Sequence, residues 1–235
     1  MIKLLLKTTI FTLLLSSFAT ISKAQLGYNY AQYDIGFGGI VNKVYGDAEY
    51  TTRTPSGYVN FTYNHTPFVN YVAEFQAGIL KGGHPETASG RYFKNAYKSL
   101  VLRGQLQAGE FLDYSRSPIF NVLKNFYVSS GFGYVVNDIT EVNRESLVVP
   151  DFYTGGEDKS SELYIPARLG YELKIFNRFN EPSVKIDLGV QYNYVFGDNL
   201  DGFKAGVSND TFFQYSIGIK FALGGLTSAS KQISY

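Results

Sequence analysis

Nine ionisable side chains of this 235-residue chain fall at one parity within alternating segments: Asp34, Glu74, Arg103, Arg168, Glu172, Lys174, Lys185, Asp187 and Lys220. Four are acids and five are bases. If each segment is a strand, successive side chains point to opposite faces, and these nine share one face. Charges gathered inside a closed sheet either line an ion path or pair with one another. Eight strands leave an interior just wide enough for side chains to fill, and an unpaired charge there is costly. A salt-bridged plug is therefore expected, which leaves large solutes no way through.

Other chemistry has less to draw on. The only histidines are His65 and His84, and alternation places them in turns at opposite ends of the sheet. Neither has a serine or acid set beside it by a recognisable motif. Asp198-Asn199-Leu200-Asp201-Gly202, with Asp210 beyond, offers hard oxygen ligands but not the full spacing of a calcium loop, and such residues are ordinary turn makers. The expectation is a protein without catalysis, cofactor or metal. A rim site acting on lipid or peptide, assembled by loops in space, stands as a third reading.

The elements that position these residues are eight strands, read roughly as Tyr33–Tyr45, Gly57–Tyr63, Phe68–Lys81, Ser99–Glu110, Phe126–Asn137, Leu163–Ile175, Val184–Phe196 and Phe212–Leu223. From Val184 to Phe196 every even position is apolar or aromatic, while the odd ones carry Lys, Asp, Gly, Gln and Asn until Val195. Short links (64–67 and 177–183) alternate with longer polar ones at 46–56, 82–98, 138–162 and 197–211. A transmembrane barrel shows this asymmetry, with tight periplasmic turns and long outer loops. The link Phe111–Asn125 is long for a turn and reads as a plain loop, with a helical turn or docking surface as the other readings. A lipocalin-like soluble barrel would line an apolar cavity and turn its polar face to water, the opposite polarity.

Met1 to Ala24 reads as a cleaved export signal: Lys3 and Lys7, then an apolar run from Ile10 to Leu15 too short to span, then a small residue at Ala24. It holds three lysines and no acid, so its removal takes the formal net charge from +1 to −2, which gives no case for nucleic acid. With no cysteine anywhere, a lipid-anchored start and disulfides are both excluded, and sheet hydrogen bonds must carry the stability. Mean hydropathy is −0.09, and the aromatics, 20 Tyr and 19 Phe with no Trp, suit belts at a lipid–water boundary. The expected organisation is an all-β, eight-stranded antiparallel up-and-down transmembrane barrel over 25–223, after a signal at 1–24 and before a short polar C-terminal tail at 224–235.

Gly131-Phe132-Gly133-Tyr134, Ile165 to Glu172, Asp187 to Tyr192 and Asn209 to Phe221 resemble the outer-membrane β-barrel families of Bacteroidota-type Gram-negative bacteria, similar in plan to the OmpA transmembrane domain. The resemblance implies a bacterial outer-membrane location with periplasmic termini, contact with outer-membrane lipid and lipopolysaccharide, and a monomer. It also implies a closing strand whose Tyr215, Ile217, Ile219 and Phe221 are read by the barrel assembly machinery. Arg91-Tyr92-Phe93-Lys94-Asn95, Gln105 to Phe111 and Tyr194 to Gly202 resemble the PorG-like accessory barrels of type IX secretion and gliding. That second resemblance implies periplasmic secretion components as partners.

Overall fold

In a computed structural model, residues 27–46, 50–114, 117–145, 147, 153–178, 181–204 and 209–230 are described; the expected signal segment 1–24 lies outside them. The strands are β1 (Gly27–Tyr45), β2 (Arg53–Asn64), β3 (Val69–Gly83), β4 (Tyr92–Gln107), β5 (Phe126–Asn143), β6 (Lys159–Phe176), β7 (Pro182–Val195) and β8 (Thr211–Ser230). A 3-10 turn (Ala108–Glu110) and one short helix, α1 (Pro118–Leu123), lie in the link between β4 and β5. Each strand pairs antiparallel with its neighbour in sequence, and β8 returns to β1, which closes the sheet and leaves no edge.

The two faces of the wall differ completely in chemistry. Register joins Ile219, Phe37, Val59, Phe75, Leu100, Tyr134 and Leu163 across seven strands, and all seven side chains stand exposed on the outer face. Aromatic belts cap this band. Tyr33 packs on Phe61 and Tyr63, and Tyr63 stacks on Tyr71, at the end that carries the termini; Tyr45 and Tyr192 meet Phe213 at the loop end. Tyr33 and Tyr45 are twelve residues apart on β1. At about 3.3 Å per residue and a 45° tilt they stand roughly 28 Å apart along the barrel axis, close to the thickness of a bilayer's hydrocarbon core.

Several strands run further than their alternation suggests. β4 starts at Tyr92 rather than Ser99 and ends at Gln107 rather than Glu110, while β5 continues to Asn143 and β6 begins at Lys159. The cause is a reversal of polarity along the strand. In the part of β4 nearer the termini, Arg103, Gln105 and Gln107 point in, and Leu100 and Leu102 point out. Beyond Ser99 the inward residues are Tyr97, Asn95 and Phe93, and the outward ones are Lys98, Ala96 and Lys94. A rule that seeks oily residues outside stops at that switch.

The expected polar tail is corrected in the same way. Gly224-Gly225 reads as a stop, yet Gly224 holds a φ of 83° opposite a register shift between Ala31 and Tyr33. A bulge bends a strand without ending it, and residues 224–230 continue as wall against β1. The link at 111–125 is no plain loop either, since α1 forms there with Pro118 in its first turn and Ser117 accepting from the Ile119 N–H.

The seam gives a direct check. Asn29 and Ser228 are register partners, and the chain has no cysteine of its own. The double variant N29C/S228C is expected to oxidise to a disulfide that holds the folded ring closed, read as an altered mobility of the unboiled band. A free tail would leave both thiols open to alkylation.

Candidate functional site

The lumen is filled in tiers. At the end that carries the termini, and up to mid-barrel, lie the nine charges singled out above; eight are almost wholly buried and Lys174 is half-buried. Arg103 grips Glu74 with both arms of its guanidinium, at 3.1 and 2.7 Å. Arg168 reaches Asp187 at 3.3 Å and donates through Nε to the Tyr127 hydroxyl, which donates to the same carboxylate at 2.6 Å. Lys220 bridges Glu172 and Asp187 at 2.6 and 3.0 Å, and Lys185 reaches Asp34 at 2.6 Å. Lys174 donates to Gln107 at 2.7 Å and to the Pro67 carbonyl, and stands over the Phe68 ring.

This packing bears on the two electrostatic possibilities. An ion path needs charges that face water along a continuous bore. Here every one of the nine is held by a neighbouring side chain or carbonyl, and removing one partner of a buried pair costs on the order of 3–5 kcal/mol by stranding the other. Gly189 shows how tight the fit is, since a Cβ there would stand 2.4 Å from the Arg168 guanidinium. The charges are paired with one another across the ring of strands.

Above the charges comes a layer of amides. Gln214 is its hub: it donates to Asn42 at 3.0 Å and to Gln76 at 2.8 Å, and accepts from Gln191 at 2.9 Å and Asn193 at 3.2 Å. Above that the lumen turns apolar, with Val44, Leu80, Phe93, Tyr97, Val101, Val135, Tyr164, Val195 and Phe212 packed together. Leu200 and Phe203 complete this cluster from the connection between β7 and β8, so that loop folds inward and corks the mouth. Asn95 donates to the Leu200 carbonyl at 2.7 Å, Arg144 donates to the Gly202 carbonyl at 2.9 Å, and the Phe203 ring meets Phe93 edge-on. Neither the amide hub nor the cork is visible to a search for charges. Inward valines such as Val195, which interrupts an otherwise polar face, are the sequence signal of the apolar tier.

Two carboxylates secure the cork. Asp210 accepts from the Leu200 N–H and Asp201 from the Phe203 N–H, both at 2.9 Å. Their other oxygens converge over Gly46, where a Cβ would stand 2.4 Å from Asp201 and 2.6 Å from Asp210, so only glycine fits beneath them. Burial, then the charge of Asp201 beside it, with Asp198 and Glu162 adding to the same sign, push the Asp210 carboxyl up to about 9. Among the described residues no group of three or more His, Cys, Asp or Glu is arranged to hold a metal.

The remaining candidates lie apart. His65 sits in the β2–β3 turn at the terminal end, and His84 lies in the β3–β4 loop at the other, so no catalytic pair forms between them. Tyr215, Ile217, Ile219 and Phe221 stand exposed along the outer face of β8. Lys94 of β4 pairs with Glu141 of β5 at 2.5 Å, and Arg144 pairs with Asp158 at 2.8 Å within the connection between β5 and β6.

No protein-family model matches the chain, and no curated protein sequence aligns with it significantly. Among solved structures, the barrel is similar to Neisserial surface protein A, with 13% identity and a TM-score of 0.45 over 82% of this chain and 98% of that one. It is similar to Ail, the attachment invasion locus protein of Yersinia pestis, with 11% identity and a TM-score of 0.44 over 82% and 98% of the two chains. The outer membrane protein AlkL, solved in lipid bilayers, gives 13% identity and a TM-score of 0.42 over 91% and 97%. Similarity of this degree assigns no residue, ligand or activity to the present chain.

The aspartate pair makes the cork sensitive to pH in one direction. A carboxyl held above its ordinary value stabilises the docked loop in its neutral form. That stabilisation is full below the usual aspartate range and is lost as pH rises through about 9. With no native tryptophan, F203W reports the docking: its emission is expected to be blue at neutral pH and to move red through that window. Adding D210N is expected to abolish the shift; a red shift that persists would place its origin elsewhere.

Proposed function

We propose that this chain is a non-enzymatic barrel of the bacterial outer membrane, with a sealed lumen and a structural or surface-interaction role. The observation that carries the reading is the unbroken exposed apolar row around the wall, from Ile219 to Leu163, enclosing a lumen of paired charges. In water that arrangement is inverted. In lipid it is the stable one, since the closed ladder pairs the strands all round and the apolar band faces hydrocarbon. On this reading lipid covers the wall, and the exposed aromatic face of β8 serves the assembly machinery. The termini lie in the periplasm, the corked mouth opens to the outside, and the barrel acts as a monomer.

Sealing argues against solute transport and for action at the surface. The strands towards the corked end carry basic residues such as Lys81 of β3 and Lys98 of β4 that suit lipopolysaccharide phosphates, although the Lys94–Glu141 pairing leaves fewer of them available. An accessory role in a type IX secretion or gliding complex would place its partners at the terminal end. The specific observation on that side is the long, structured β4–β5 link.

Refolded into lipid vesicles, the full chain is expected to float with the lipid and to show a heat-dependent gel shift. In a planar bilayer it is expected to give no steady conductance. F132R is expected to lower insertion by about 2–4 kcal/mol if its site lies near mid-membrane; Phe132 is 71% exposed on the wall. A soluble fraction without the gel shift would overturn the membrane reading, and a stable open conductance would overturn the sealed lumen.

A further inference from the structure

The β4–β5 link is built as a platform. Its ends are tied to the barrel: Gln107 N–H donates to the Phe68 carbonyl at 2.8 Å, Gly109 N–H to the Lys124 carbonyl at 2.9 Å, and Glu172 N–H to the Asn125 carbonyl at 3.1 Å. Its inner side packs under the lumen, with buried Gly109 beneath the strands and Tyr114 edge-on to the Phe68 ring. Its other side does the reverse. Phe111 is 74% exposed and Ile119 69%, with Phe120 and Leu123 exposed beside them. None of the six residues of α1 is buried. A helix this short does not hold itself together in water, so it is the anchored ends that present these apolar side chains outward.

What covers them is indicated by continuity. Ala108 and Phe111 of the link form one side of a groove of about 800 Å³, and Phe126, Tyr171, Leu188 and Tyr215 of the outer wall form the other. The exposed face of the link is therefore an extension of the lipid-facing wall, not a separate patch. It also lies at the depth of an aromatic belt, since Phe126, the first residue of β5, meets Tyr171 at 4.7 Å. Amphipathic elements at that depth bury their apolar face in the boundary between headgroups and acyl chains. The volume is in the range of sites that enclose a small ligand.

We propose that residues 108–114 and 117–125 form an interfacial foot that dips Phe111, Ile119, Phe120 and Leu123 into the leaflet nearest the termini and seats a phospholipid acyl chain between Phe111 and the β5–β8 wall. The inference rests on the membrane reading above and adds a specific lipid contact to it. The foot adds an in-plane anchor to the aromatic belts that set the depth of the barrel.

The test uses the full chain in phosphatidylcholine vesicles, with the lipid brominated either high or deep on its acyl chains, and acrylamide as the aqueous quencher. F120W and F111W each supply the single tryptophan, and F132W on the wall is the control. Expected is loss of F120W and F111W emission with the high-brominated lipid and protection from acrylamide, with F132W quenched most by the deep-brominated lipid. If F132W is quenched by lipid while F120W and F111W answer only to acrylamide, the foot stands in water and the proposal falls while the membrane reading survives. If the two foot probes answer to neither quencher, a protein surface covers them and the lipid proposal falls. If F132W answers to no lipid, the membrane reading falls and takes the foot with it.

Discussion

Closing eight strands into a ring leaves a lumen only as wide as the side chains that fill it, and nearly everything else follows from that confinement. Charges placed inside have no room for a hydration shell, so each must find a protein partner. The fork of Arg103 on Glu74 and the bridge of Lys220 between Glu172 and Asp187 answer that demand. Two of the lumen contacts also join strands that are not neighbours, and these fix the cross-section of the ring as well as neutralising charge. Lys220 on β8 reaches Glu172 on β6, and Lys185 on β7 reaches Asp34 on β1.

The same confinement explains why the lumen is tiered. Where the wall is apolar outside, its interior holds mostly charges and amides, with Val101, Val135 and Tyr164 starting the apolar core. Where the strands rise past the aromatic belt of Tyr45, Tyr192 and Phe213, the outside turns polar and the inside becomes an apolar core. The barrel is thus an inside-out protein for part of its length and an ordinary one for the rest. Leu200 and Phe203 belong to the ordinary part: they cork the mouth by the hydrophobic effect, and Asp201 and Asp210 hold the backbone of that loop in place.

How much of this was legible depends on which rule each residue obeys. The number of strands, their order and the face of all nine charges follow from period-two alternation, as Val184 to Phe196 shows most plainly. The partners of those charges did not follow. Alternation places Arg168 inward but says nothing of Tyr127 or of the room that Gly189 leaves for it. The outer ends of β4, β5 and β6 were hidden because their polarity reverses, and the end of β8 because Gly224 marks a bulge that resembles a stop. The Asp201–Asp210 pair is brought together by loop folding, and the sequence shows only two acids in a turn-like stretch.

The central claim is that the exposed apolar face meets lipid up to the polarity switch and water beyond it. A chain without cysteine allows single spin labels to be placed along the outward positions of β5: Val128, Phe132, Tyr134, Val136, Asp138 and Thr140. In vesicles, accessibility to oxygen is expected to dominate from Val128 to Val136, and accessibility to a water-soluble nickel chelate from Asp138 onward. Aqueous accessibility along the whole series would contradict the account, because the same wall would then stand in water.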